Sequence, residues 1–202
     1  MKTLTEESMA VKKRLIIAIT GASGVIYGVR MIQELKKSNY ETHLILSEYG
    51  RINIEIETGI RPEDVEATAD YTYSYTDMGA PIASGSFMTE GMIVIPCTVK
   101  TLSGIANCYA DNLIVRAADV TLKEKRKLAL VVRETPLHQG HLRLLKMAAE
   151  MGAHIYPPVP SFYHQPKTID DIINQTVGKI LDYYAIEHDL FKRWGTPPPS
   201  DS

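Results

Sequence analysis

Gly21-Ala22-Ser23-Gly24 lies where an apolar run gives way to helical spacing. Small residues there let the backbone come close to a ligand, and N–H groups at a helix start favour phosphate. The spacing is not G-x-G-x-x-G. Ser47, not an acidic residue, ends the second apolar run, so a ribose-binding carboxylate is missing and a nicotinamide dinucleotide is disfavoured. Hydroxyls at two strand ends suit a phosphate or a flavin better, although spacing alone leaves a bare strand–helix turn equally open. Arg133-Glu134-Thr135-Pro136 puts a cation beside a carboxylate at a strand end, which can position an anion and a proton donor together or form a surface ion pair. Arg116, Asp119 and Lys123 share one helical face, as an exposed pair or as a basic wall for phosphate. Phe162-Tyr163-His164 sits between prolines, as a stiff loop that closes over a ligand or simply packs. His138 and His141 have no acid or cysteine to complete a metal set, so no metal site is expected. Cys97 follows an apolar run and reads as a small core residue. There is no G-x-S-x-G elbow and no Walker motif.

The elements that must position these residues alternate. Arg14–Thr20, Thr42–Leu46, Met92–Ile95, Leu128–Val132 and His154–Tyr156 are short, largely β-branched apolar runs, as buried parallel strands should be. Between them, helical spacing is seen over Val25–Lys37, onward from Ser47 to Thr58, near Lys100–Tyr109, Leu113–Lys125 and Gln139–Met151, with a last helix over Ile169–Tyr184. The stretch 60–90 is the least legible: a short helix at Pro62–Ala69, an exposed strand in Tyr71–Tyr75, and a turn-rich Ala83–Phe87. Such alternation predicts a three-layer α/β sandwich with a mostly parallel sheet. Ligands then bind beyond the carboxyl ends of the strands, where Ser23, Ser47, Thr98 and Arg133-Glu134 stand.

Composition narrows the classes. The 22 Lys plus Arg nearly balance the 24 Asp plus Glu, which argues against a general nucleic-acid binder. Two cysteines cannot make a disulfide framework. No apolar run approaches the ~20 residues of a membrane span, and the first residues lack an apolar signal core. The expectation is a cytoplasmic chain with a flexible lead at 1–12, one domain over 13–195, and a mobile tail at 196–202.

Taken in order, ITGASGVIYGVR, ETHLILS, IASGSF, DNLIVRAADVTLKEKRKLALVVRETPLH, PPVPSFYHQP and KRWG span nearly the whole chain. The sequence resembles the UbiX-type flavin prenyltransferases, which include accessory subunits of phenolic-acid and hydroxybenzoate decarboxylases. The resemblance implies a Rossmann- or flavodoxin-like fold, FMN at the strand ends, and homo-oligomers of trimers assembled into dodecamers. The implied reaction moves a dimethylallyl group from dimethylallyl monophosphate to N5 and C6 of reduced FMN without a metal. Prenylated FMN then serves a UbiD-type decarboxylase.

Residue by residue, the resemblance assigns Gly21, Ala22 and Ser23 to the first flavin loop and Ser47 to the second strand end. It assigns Thr98, Val99, Lys100 and Thr101 to the third-strand loop, and Arg133 to the flavin. Glu134 is the implied catalytic base for the C6 proton, and Ser23 orients the ring near N5. Lys123, Arg133, Tyr163 and Lys179, with Arg116 nearby, would hold the prenyl phosphate and offset charge on its oxygens. Trp194 would face the developing allylic cation. Two positions depart from the family pattern. Thr98-Val99-Lys100 replaces Ser-x-Gly, and Lys179 stands where many members carry arginine, keeping the charge but losing the bidentate fork. A cysteine decarboxylase of related fold would need a histidine soon after the first flavin loop, and His43 falls inside the second strand. A flavin-carrier subunit would have no need of Lys123, Glu134 and Tyr163.

Overall fold

A computed structural model describes residues 12–193. Six strands form one sheet: β1 (Lys13–Ile19), β2 (Tyr40–Leu46), β3 (Tyr71–Tyr73), β4 (Gly91–Cys97), β5 (Lys127–Val132) and β6 (His154–Ile155). Their order is β3-β2-β1-β4-β5-β6, and every pair is parallel. The helices are α1 (Val25–Leu35), α2 (Glu48–Thr58), α3 (Pro62–Glu66), α4 (Val99–Ala106), α5 (Leu113–Lys123), α6 (Gln139–Glu150) and α7 (Ile169–Tyr183). The expected lead, up to residue 11, and the expected tail at 196–202 lie outside the described residues, as does Trp194.

Period-two alternation sorts the core. Leu15, Ile17 and Ile19 of β1 point to one face, where Val25, Val29, Ile32 and Leu35 of α1 and Val177 and Ile180 of α7 cover them. Ile16 and Ala18 point to the other, against Leu102 and Ile105 of α4, Ile114 and Ala117 of α5, and Ala148 of α6. Helices on both faces of a parallel sheet make the three-layer sandwich.

Two boundaries differ from the sequence reading for physical reasons. Tyr71–Tyr73 joins the sheet as an edge strand on β2, registering His43 with Tyr71. At the sheet's edge it leaves Tyr71 and Thr72 exposed, so it reads weakly in sequence. β4 runs on through Pro96 to Cys97, because a register shift between Val94 and Cys97 spares the ladder the N–H that proline lacks.

The order reverses between β1 and β4, so α1 leaves toward one face and α4 toward the other, opening a crevice beyond the carboxyl ends. Gly28 lets α1 sit close to that seam: a Cβ there would meet the Ile95 carbonyl at 2.4 Å and Ile19 Cδ1 at 2.7 Å. Gly28→Val should lower unfolding free energy by about 1–3 kcal/mol, since overpacking of this kind shifts backbone. Urea denaturation checks it, and an unchanged midpoint would contradict this packing.

Candidate functional site

Four loops border the crevice, each following a strand. Thr20, 2% exposed, ties the two central ones. Its hydroxyl donates to the Pro96 carbonyl (2.7 Å) and accepts from the Thr98 N–H (2.9 Å), while its own N–H donates to the same carbonyl (3.2 Å). The Arg133 N–H donates to the Cys97 carbonyl (3.2 Å), fastening the fourth loop to the third. Ser47 N–H donates to the Ile19 carbonyl (3.0 Å), fastening the second to the first. Gly21–Ser23, Ser47, Thr98–Thr101 and Arg133 therefore line one edge of the sheet. Adjacent strands are ~4.8 Å apart, so these loops span on the order of 15 Å, the scale of a three-ring ligand.

The hydroxyls expected at strand ends are helix caps. Ser47 Oγ accepts from the Gly50 N–H (3.0 Å) at the start of α2, and Thr98 Oγ1 accepts from the Thr101 N–H (3.1 Å) at the start of α4. Both helices aim the positive ends of their dipoles at the crevice.

The start of α1 is different. Glu57 on α2 accepts from the N–H groups of Gly24 (2.8 Å) and Val25 (3.2 Å), so a carboxylate already holds the donors that the sequence reading left for phosphate. Asn53, one turn earlier, donates to the Gly21 carbonyl (3.0 Å). Gly21 permits this docking, since a Cβ there would lie 2.3 Å from that of Tyr49. Among the described residues, the N–H groups of Ala22 and Ser23 and the exposed Ser23 hydroxyl have no partner. This donor set suits a polar ring edge, with an anionic tail toward α2 and α4 rather than α1.

Thr20, Asn53 and Glu57 were not singled out from sequence. The only signal was the i,i+4 spacing of Asn53 and Glu57, which on its own marks nothing more than a helix face. Cys97 is fully buried, and burial pushes its thiol far above the usual range, consistent with a core role. His43 is buried in β2 between Tyr73 Oη (2.9 Å) and Glu41 (3.0 Å), away from the crevice. No described residues form a group of three or more His, Cys, Asp or Glu side chains able to hold a metal.

The candidate phosphate-binding residues fall in three places. Arg133 and Glu134 stand exposed at the end of β5, where Glu134 accepts from the Thr135 N–H (3.0 Å). Tyr163 and Lys179 line a separate cleft of about 530 Å³ beside β6, with Tyr156, Ser161 and Gln175. Arg116 and Lys123 lie on α5, which returns toward the start of β5. Arg116 donates to the Ala83 carbonyl (3.1 Å) and pairs with Asp119 (3.0 Å), whereas Lys123 pairs with Glu124 (2.5 Å) near Gly85. The six residues of β5 separate Lys123 from Arg133 by roughly 20 Å. One chain does not bring Lys123 to the others.

Comparison with known proteins gives a consistent result. A family model described as Flavoprotein matches residues 3–185. The chain is similar to flavin prenyltransferase UbiX of Escherichia coli K12, 56% identical over 185 residues that cover 90% of this chain and 98% of the relative. It is similar in structure to AnUbiX (PadA1) in complex with FMN and dimethylallyl pyrophosphate. That match has a TM-score of 0.90 and 44% identity, covering 93% of this chain and all of that one. A dodecameric FMN-dependent UbiX-like decarboxylase from Escherichia coli O157:H7 aligns with a TM-score of 0.89 and 47% identity, covering 91% of this chain and all of that one.

The Thr20 clamp can be tested alone. Thr20→Val leaves the Thr98 N–H and the Pro96 carbonyl without their side-chain partner, which should cost about 1–3 kcal/mol in denaturant unfolding. Ligand affinity in the crevice should fall with it. A variant of unaltered stability would show that the clamp does not hold the two loops.

Proposed function

The chain belongs to the UbiX family of flavin prenyltransferases, and we propose that it joins the dimethylallyl group of dimethylallyl monophosphate to N5 and C6 of reduced FMN. The product, prenylated FMN, is destined for a UbiD-type aromatic acid decarboxylase. The observation that carries the phosphate reading is the cleft shared by Tyr163 and Lys179. It offers a phenol and an ammonium that forms no ion pair within 4 Å among the described residues, while the cleft's one carboxylate, Asp182, is held by Arg193 and His188.

Reduced FMN, when bound, supplies the nucleophilic ring nitrogen and carbon. The chain's residues supply the rest. Ser23 and the free N–H groups of its loop orient the ring edge, and Arg133 contributes positive charge beside it. Ser47, Thr98, Val99, Lys100 and Thr101 receive the anionic tail at the dipole ends of α2 and α4. Thr98 keeps the capping hydroxyl despite the loss of the family's glycine two residues on.

At the donor, Tyr163 donates a hydrogen bond and Lys179 offsets charge on the departing phosphate. Glu134 takes the ring proton released as the second bond forms. Trp194 stays the candidate aromatic for the allylic cation. Arg116 and Lys123 complete the phosphate site from a neighbouring copy. A strand's length parts Lys123 from Arg133 in their own chain, and a dodecameric relative shows that this fold assembles. Two copies that contribute different surfaces make a heterologous contact, which closes into a ring such as a trimer.

Three measurements test this reading. Purified protein with reduced FMN and dimethylallyl monophosphate should raise the flavin mass by one prenyl unit without a partner protein; FMN of unchanged mass would indicate a carrier instead. Running the pyrophosphate in parallel identifies the donor. Glu134→Gln should keep FMN affinity within about twofold while product formation falls by two or more orders of magnitude, as loss of a general base does. An unmutated rate would remove Glu134 from the chemistry. Lys123→Ala and Lys179→Ala, each impaired alone, should recover roughly a quarter of the activity when co-assembled, because random mixing restores that share of sites built across two copies. No recovery would mean that both lysines act within one chain.

A further inference from the structure

Gln175 lies on α7, one turn before Lys179, and is 6% exposed. Its side-chain N–H donates to Tyr163 Oη at 2.8 Å. Its carbonyl oxygen is buried with no hydrogen-bond partner among the described residues. Buried amides normally use both ends, and the described residues satisfy only one end of this one. The residue borders the cleft that holds Tyr163 and Lys179.

We propose that Gln175 is a positioning residue for the prenyl phosphate, a role that rests on the reading of Tyr163 and Lys179 as phosphate contacts. The Gln175 N–H fills an acceptor site on the Tyr163 oxygen. The phenol hydrogen is thereby turned away from α7 and toward the cleft, where it donates to phosphate. Tyr163 is half exposed, on the proline-flanked loop before α7, and this bond anchors its hydroxyl to that helix. The Gln175 carbonyl lies on the same face as Lys179, four residues on. When phosphate draws the ammonium inward, that oxygen accepts one of its hydrogens and fixes the flexible side chain in line with the phenol.

The test compares steady-state kinetics with dimethylallyl monophosphate across a small set of variants. Gln175→Leu keeps the buried volume and removes both polar ends. It should raise KM for the prenyl phosphate about tenfold, the loss of one hydrogen bond, with kcat and FMN affinity within about twofold. Tyr163→Phe should raise KM likewise, and Gln175→Leu should add less in the Tyr163→Phe background than it costs alone, because the amide N–H acts through the phenol while only the carbonyl acts through Lys179. Gln175→Glu, whose carboxylate accepts the phenol hydrogen and turns it from the phosphate, should raise KM further than leucine does. If Tyr163→Phe raises KM but Gln175→Leu does not, or if the two effects simply add, the positioning role is overturned while the phosphate site stands. If Gln175→Glu is milder than Gln175→Leu, the orientation argument is overturned. If Tyr163→Phe leaves KM unchanged, the phosphate reading itself fails, and this role with it.

Discussion

The rest of the structure depends on the reversal of strand order between β1 and β4 and on the hydroxyl that holds that seam to a fixed width. Helices α1 and α4 diverge to opposite faces there, leaving strand ends uncovered. An open seam would splay without a tie. Thr20 supplies one through three hydrogen bonds to the Pro96–Thr98 segment, in a site sealed from water where such bonds are not traded for solvent. The loops that present Ser23, Ser47, Thr98 and Arg133 are thus set by the sheet itself, not by ligand. Glu57 reinforces this by taking the α1 terminus out of competition for anions, so the attractive dipole ends are those of α2 and α4.

Charge placement supports the proposal that the working unit is more than one chain. Bringing four cations together around one phosphate within one subunit would raise strong mutual repulsion whenever the phosphate is away. The fold keeps them apart. Arg116 and Lys123 are quenched by Asp119 and Glu124 on α5, Arg133 stands in solvent at the far strand end, and Lys179 waits in its cleft. In the proposed assembly the charges come together only where a phosphate neutralises them. The sequence reading gathers these cations at one phosphate without saying how many chains supply them. Lys123 and Arg133 are ten positions apart in the chain, yet a full strand lies between them.

Most of the architecture was legible in sequence because parallel strands, buried on both faces, are almost uniformly apolar. The runs ending at Ile19, Leu46, Val132 and Ile155 were placed within two residues at either end. β3 was faint because an edge strand needs no apolar run. The site was legible only where it follows a strand. Ser23, Ser47, Thr98 and Arg133 come to one edge as expected, but Asn53, Glu57 and Gln175 sit on helices whose spacing looks like ordinary surface or core. Glu57 reaches back 33 positions to Gly24, and Thr20 reaches 76 forward to Pro96. No local pattern encodes such contacts, since they arise from how α2 and β4 happen to lie against the first loop.

A structure of the assembled protein with oxidised FMN, which cannot react, and dimethylallyl monophosphate tests the central claim most directly. The prenyl phosphate should touch Tyr163 and Lys179 of one copy and Lys123 of another, with the isoalloxazine ring in the β1–β4 crevice. A phosphate bound wholly by residues of one chain, or a flavin seated away from Ser23 and Arg133, would contradict it.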